Sequence, residues 1–326
     1  MYFLQSKPQC GRKPLQLKHA QQGVAIIMAM AVVTLAALAA TAIVVTQSTW
    51  ARRVQLANDH TQAQLLIQTG LDWGRAVLSD DLRVSTADHA GEPWAMVLPA
   101  VSVDNGNLLG HIEDQQGRFN LNNLLQDGNI NASQLEAYQR LLVLLNLPPV
   151  LALTLADWLD TDQQVQPGGG AEDVYYLALP LPYLAANRAM QDVAELADVA
   201  GYDAMVRARL MPFVTALPGF AALNVNMATA EVLAAVIPDL GLDGARTLVV
   251  RRHQAWFRNY ADFISQLPQQ LLNTSGVSLS ENNLSVSSHF FIATAQVSFG
   301  GAQARGSALL ARSSAGWPRV VWRKYQ

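Results

Sequence analysis

Residues 24–45 carry no charge, and only Thr34 and Thr41 interrupt their apolar run. At 1.5 Å per residue these 22 residues make about 33 Å of α-helix, enough to cross a hydrocarbon core of roughly 30 Å. Lys7, Arg12, Lys13 and Lys18 precede the run, no acid does, and the next charge is Arg52. The basic flank predicts a cytoplasmic N-terminus, with the bulk of the chain outside the cytoplasm. The run is longer than the roughly 7–15 apolar residues of a secretory signal, although 36–40 offers small residues for cleavage. Cys10, the single cysteine, lies before the run and so fits no lipoprotein signal. One cysteine also excludes an intramolecular disulfide.

The chain does not turn after this span. Neither proline nor a strong turn signal occurs from Val24 to Ser79, and Ala63, Leu66, Ile67, Gly70, Leu71, Gly74, Val77 and Leu78 fall at i, i+3, i+4 spacing. The pattern predicts one helix of about 56 residues, near 84 Å, greasy in its lower half and packed on a globular head in its upper half. Gly23 stands where the polar leader meets the apolar stretch. This arrangement resembles a type IV pilin-like subunit. The resemblance implies cleavage by a prepilin peptidase after Gly23 and methylation of the new amine on Val24. Pilins carry Glu at the fifth mature position, where it neutralises the amine of a neighbouring subunit; here that position is Met28.

Beyond the stalk, residues 94–103 and 107–112 read as short strands around the Asp104-Asn105-Gly106 turn. Near the far end Phe291, Ala293, Ala295, Val297 and Phe299 alternate with Ile292, Thr294, Gln296 and Ser298, and strands are also predicted at 302–312 and 320–323. Between these parts, segments 132–147, 150–159, 189–200, 203–210, 228–236, 244–254 and 260–267 carry helical periodicity and are punctuated by prolines. The predicted class is α+β: a long N-terminal helix on a small antiparallel sheet, with a large all-α domain inserted between strands. The expected division is a leader at 1–23, the membrane or filament-core half of the helix at 24–46 and pilin-like helix and strands at 47–118. The α-domain then takes 119–285 and the closing strands 286–326.

The chain has 22 Lys+Arg against 25 Asp+Glu. With the four leader cations set aside the balance is −7, which argues against binding nucleic acid. Residues 224–267 resemble a helix-hairpin-helix module, but four acids there match four arginines, so packing or protein contact is the expected role. No H-E-x-x-H, nucleophile elbow or phosphate-binding Gly-rich loop is present, and no enzymatic activity is expected. Asp157, Asp160, Asp162, Glu172 and Asp173 flank the 161–171 loop, which contains Gly168-Gly169-Gly170. Carboxylates converging across such a turn suit a hard cation. Gln164 stands where an EF-hand would have an acid. The alternative is that these acids cap helices and face solvent.

Four segments carry a more specific resemblance: Asp114-Gln115-Gln116-Gly117-Arg118-Phe119-Asn120-Leu121-Asn122; Ala156-Asp157-Trp158-Leu159-Asp160 followed by Gly170-Ala171-Glu172-Asp173-Val174-Tyr175-Tyr176; Leu223-Asn224-Val225-Asn226-Met227-Ala228; and the terminal strands. Together with the leader they resemble the minor pseudopilin K of type II secretion systems, the GspK family. The resemblance implies a non-enzymatic subunit at the tip of a periplasmic pseudopilus. It implies complexes with the minor pseudopilins I and J, linkage through pseudopilin H to the major pseudopilin G, and processing at the inner membrane by prepilin peptidase. It also implies Ca2+ in the α-domain, for which Asp157, Asp160, Asp162, Glu172 and Asp173 are the candidate ligands. A minor pilin of a type IV pilus and a membrane-anchored periplasmic enzyme are the alternatives; the large helical insertion and the missing Glu favour secretion over the pilus.

Overall fold

A computed structural model describes residues 18–97, 99–272, 283–313 and 316–326. Residues 1–17, with most of the predicted leader and Cys10, lie outside them. The chain divides into two compact units, residues 1–59 and 60–326. In the first, the described residues belong to α1 (Lys18–Asp81), and residues 23–58 are exposed around its whole circumference. Thr34 and Thr41 donate their hydroxyls to the carbonyls of Met30 and Ala37 at 2.7 and 2.8 Å, so the two hydroxyls of the 24–45 run are satisfied within the helix. By length and composition α1 can cross a membrane.

In the second unit the last turns of α1 lie on a five-stranded antiparallel sheet. Its order is β1 (Val101–Val103), β2 (Gly106–Asp114), β9 (Phe290–Phe299), β10 (Ala302–Ala311) and β11 (Arg319–Tyr325). Ala63, Ile67, Leu71 and Leu78 pack on Phe291, Ala293, Ala295, Val297, Ala308 and Leu310. The helix comes close because glycine faces it: a Cβ on Gly306 would stand 2.3 Å from Ile67 Cγ2, and one on Gly74 3.2 Å from Ala293 Cβ.

Between β2 and β9 run β3 (Phe119–Asn120), β4 (Leu125–Gln126), β5 (Asn129–Ile130), α2 (Ala132–Leu144), α3 (Leu151–Leu159), α4 (Asp173–Leu177) and α5 (Ala204–Leu210). They are followed by β6 (Val214–Thr215), β7 (Leu223–Asn224), α6 (Ala230–Val236), α7 (Gly241–Gln254), α8 (Tyr260–Ile264), α9 (Gln269–Leu272) and β8 (Leu284–Ser285). This insert has a core of its own, centred on Tyr138, Leu141, Leu155, Tyr176 and Leu233. Both its ends leave from adjacent strands, since Asp114 of β2 faces Phe291 of β9. Gln116 sews them together by accepting the backbone N–H groups of His289 and Phe290.

Asparagines explain where the insert departs from simple helices. Asn122 donates to Met190 O and Leu217 O and accepts Met190 N–H, all at 2.8 Å. Asn120 and Asn123 bond the backbone of Leu217 and Ala221 in the same way. The helix predicted at 189–200 therefore shrinks to a 3-10 turn, Val193–Ala197, because Asn122 has claimed the backbone of Met190. The insert is mainly helical yet holds the two-residue parallel pairs β3–β6 and β7–β8 and the hairpin β4–β5. The strand predicted from residue 94 begins only at Val101. Pro93–Ala95 is a 3-10 turn that turns Trp94 inward, edge-on to Phe291 at 5.1 Å. Loop residues Leu217 and Ala221 cover Leu309 in a third, smaller cluster.

Asn131 caps α2 by accepting the N–H groups of Ser133 and Gln134 at 3.1 and 3.3 Å. Asn131→Ala should cost about 1 kcal/mol, read as a fall of roughly 2–4 °C in the melting temperature of the purified chain. An unchanged melting curve would show that the cap is not holding α2.

Candidate metal centre

Asp157 and Asp160 come from the end of α3, where the chain leaves the helix with Asp160 extended at ψ 170°. The loop then turns through Gly168 and Gly169, both at positive φ, and returns to α4 with Glu172 as its cap. Gly170 has to be glycine, because a Cβ there would lie 2.0 Å from Asp157 Oδ2. Carboxylate oxygens of Asp160, Asp162 and Glu172 consequently lie within 4.8 Å of one another.

The five predicted acids separate into three roles. Asp160 and Glu172 are each 2% exposed, and Asp160 Oδ1 and both oxygens of Glu172 have no hydrogen-bond donor. Asp162 is exposed and accepts Gln164 N–H at 2.7 Å. Asp157 flanks the set but is occupied by Gln166 N–H, 3.0 Å from its Oδ1. Asp173 is turned away, accepting Ala185 N–H at 2.9 Å and closing the 173–185 loop. Among the described residues no basic side chain pairs with any of these five.

The electrostatics follow from that imbalance. Burial, and then the charges of Asp157, Asp160, Asp162 and Asp173, push the Glu172 carboxyl up to about 7. Burial and the neighbouring Asp162 and Asp157 push Asp160 up to about 6. Such a set must hold protons or a cation, since an isolated buried carboxylate is costly. Oxygen-only donors at this spacing suit a hard divalent ion. Asn187 was not legible as part of this region. Its N–H donates to Trp158 O at 3.0 Å, and its side-chain oxygen is buried without a donor.

A second acidic set, which no local sequence pattern marks, joins Asp81, Asp88 and Glu92. It contains its own cation: Arg312, 5% exposed, bonds Asp81 at 2.8 Å and also Asp88. Glu92 is taken by Trp94 Nε1 at 2.7 Å and by His89 N–H. The two sets thus differ in kind: a guanidinium pairs with two of the three carboxylates in one, and among the described residues no basic side chain pairs with the other. At the helical end of the chain, Gly23, Val24 and Met28 are exposed on α1.

Models described as type II secretion system (T2SS), protein K match residues 117–219 and 223–287, the span that holds the carboxylate set. The type II secretion system protein K of Pseudomonas aeruginosa is 34% identical over 318 residues, covering 94% of this chain and 93% of that one. The chain belongs to the protein K family of type II secretion systems. The protein K of Klebsiella pneumoniae is 32% identical over 95% of this chain and 98% of its own. Protein K in the crystal structure of the GspK-GspI-GspJ complex from enterotoxigenic Escherichia coli shares the fold, with a TM-score of 0.71 and 24% identity over 84% of this chain and 99% of that one. Protein K is a structural component of the secretion system, a minor pseudopilin, and the helix-on-sheet half of the present chain is the pilin-like part of that architecture.

Proposed function

We propose that this protein K is the tip subunit of its pseudopilus, initiating or capping the filament that exports folded proteins across the outer membrane. The observation that carries the reading is the insert between β2 and β9, residues 115–289, which outweighs the helix and sheet that carry it. A head of this size on an interior subunit would collide with the next turn of a filament built from α1-type stalks. Met28 supports the same end position. A subunit entering beneath another needs a carboxylate to meet its neighbour's amine in an apolar core, whereas the first subunit meets none.

In this reading α1 sits in the inner membrane with its N-terminus cytoplasmic and its bulk in the periplasm. The leader is removed after Gly23 by prepilin peptidase and Val24 is methylated. The neighbours are the minor pseudopilins I and J, as in the related complex, with H linking to G. Ca2+ is held by Asp160, Asp162 and Glu172, with Asp157 beside them, and it joins the end of α3 to the start of α4. The fit rests on three buried oxygens without a donor.

The test is to co-express the full-length chain with pseudopilins I and J and label assembled pseudopili with an antibody against the insert. A stable ternary complex and one mark per filament end are expected. Marks repeating along the shaft would overturn the tip assignment.

A further inference from the structure

We propose that the lobe formed by α4 and residues 178–184 is a docking surface for a protein whose contact face is apolar and rimmed by Lys and Arg. Val174 and Leu181 are 84% and 83% exposed, and Leu177, Leu184, Tyr175 and Tyr183 stand at 53, 57, 50 and 37% around them. Six large apolar or aromatic side chains exposed within eleven residues concentrate apolar surface on one short stretch, and exposed apolar surface concentrated in this way marks an interaction site.

The lobe is rigid. Tyr176, fully buried, holds Trp158, Tyr175 and Tyr183 at ring distances of 5.2, 5.3 and 5.3 Å. Tyr183 donates its hydroxyl to Asp198 O at 2.8 Å, and Asp173 closes the loop onto Ala185. Leu181 stands between Pro180 and Pro182, whose fixed φ angles limit its freedom. An apolar surface held in place in this way loses little entropy when it is covered.

Charge selects the occupant. Residues 156–203 hold nine acids against one base, Arg188, a net charge of −8 where the whole chain has −3. Arg188 is already paired with Glu195 at 3.1 Å; of the cations that reach in from elsewhere among the described residues, Lys324 pairs with Asp192 and Arg207 donates to Tyr202 O, at the far end of the segment. A second copy of the chain would present the same sign and be repelled, as would an anionic lipid surface. A basic-rimmed apolar face gains on both counts. A divalent ion among Asp160, Asp162 and Glu172 would leave the sign unchanged, so the surface stands without the calcium reading.

The test uses full-length protein in phosphatidylcholine nanodiscs, with empty discs as reference, and two synthetic amphipathic peptides sharing one Leu/Trp face, the rest being Lys in one and Glu in the other. The Lys peptide should bind at least roughly tenfold tighter. The double variant Val174→Asp/Leu181→Asp should lose about tenfold for the Lys peptide even though it adds negative charge, because both side chains are solvent-facing contacts rather than core. Asp198→Lys, on an exposed position beside Tyr183, should weaken binding several-fold. Equal binding of both peptides, or unchanged or tighter binding by the double variant, would overturn the proposal. Self-association of wild-type discs that Leu181→Asp abolishes would assign the lobe to a second copy instead.

Discussion

Chelating calcium from the full-length protein at pH 7.5 is expected to lower its melting temperature by about 5–10 °C, and added millimolar calcium to restore it. An ion present at a hundredfold its dissociation constant stabilises the folded state by about 2.7 kcal/mol, and each kcal/mol moves the transition of a domain of this size by roughly 2–4 °C. The effect has a defined pH dependence. Glu172 and Asp160 are pushed up to about 7 and about 6 from ordinary values of 4.5 and 3.8. Groups whose folded pKa is raised contribute stability that is fully present below the unfolded pKa and lost as pH rises through the folded one. Without metal, stability should therefore fall between about pH 4 and pH 7; with metal this loss should be offset, and the gap between the two curves should widen toward pH 8.

Asp81 and Asp114, also pushed up to about 6, lose stability over the same window whether or not calcium is present. The difference between the two curves is the measurement that isolates the ion. Glu172→Gln should close most of that gap and make the metal-free protein more stable at pH 8, because it removes a buried charge from an acidic set. Identical curves with calcium and with chelator would remove the ion and leave these buried carboxylates held by protons alone.

Replacing Gly23 by Leu should leave the whole population of the chain at precursor mass. A Cβ built on Gly23 meets nothing within 4 Å, and Leu is a better helix former than Gly. The substitution is therefore silent for the fold, and loss of cleavage would report recognition alone. Mass spectrometry of the wild type should find Val24 at the N-terminus, one methyl group heavier than the unmodified residue. A wild-type chain starting near Ala42, the cut a signal peptidase would make, would remove the pilin-type processing and with it the filament-core role of α1.

Sequence alone determined the elements whose causes are local. The absence of proline over 24–79 and an uncharged run fix α1, its buried face at Ala63, Ile67, Leu71 and Leu78 follows from 3.6-residue spacing, and alternation over 291–299 marks β9. The crowding of acids around a Gly-rich loop was also visible, since it needs only neighbours along the chain. What the tertiary structure decided depends on contacts between distant residues. Asp173 reads like its neighbours but is drawn off by Ala185 N–H. Asn122 unwinds the expected start of a helix 68 residues away, because a buried amide must satisfy its donors and acceptors wherever partners lie. Arg312, 231 residues from Asp81, pairs with two members of an acidic set that no local pattern reveals. The pairing of β2 with β9 across the insert, and the standing of Val174 and Leu181 in solvent on a buried tyrosine base, belong to the same class. Periodicity states which face of an element is apolar; only packing states whether that face finds a partner within the chain.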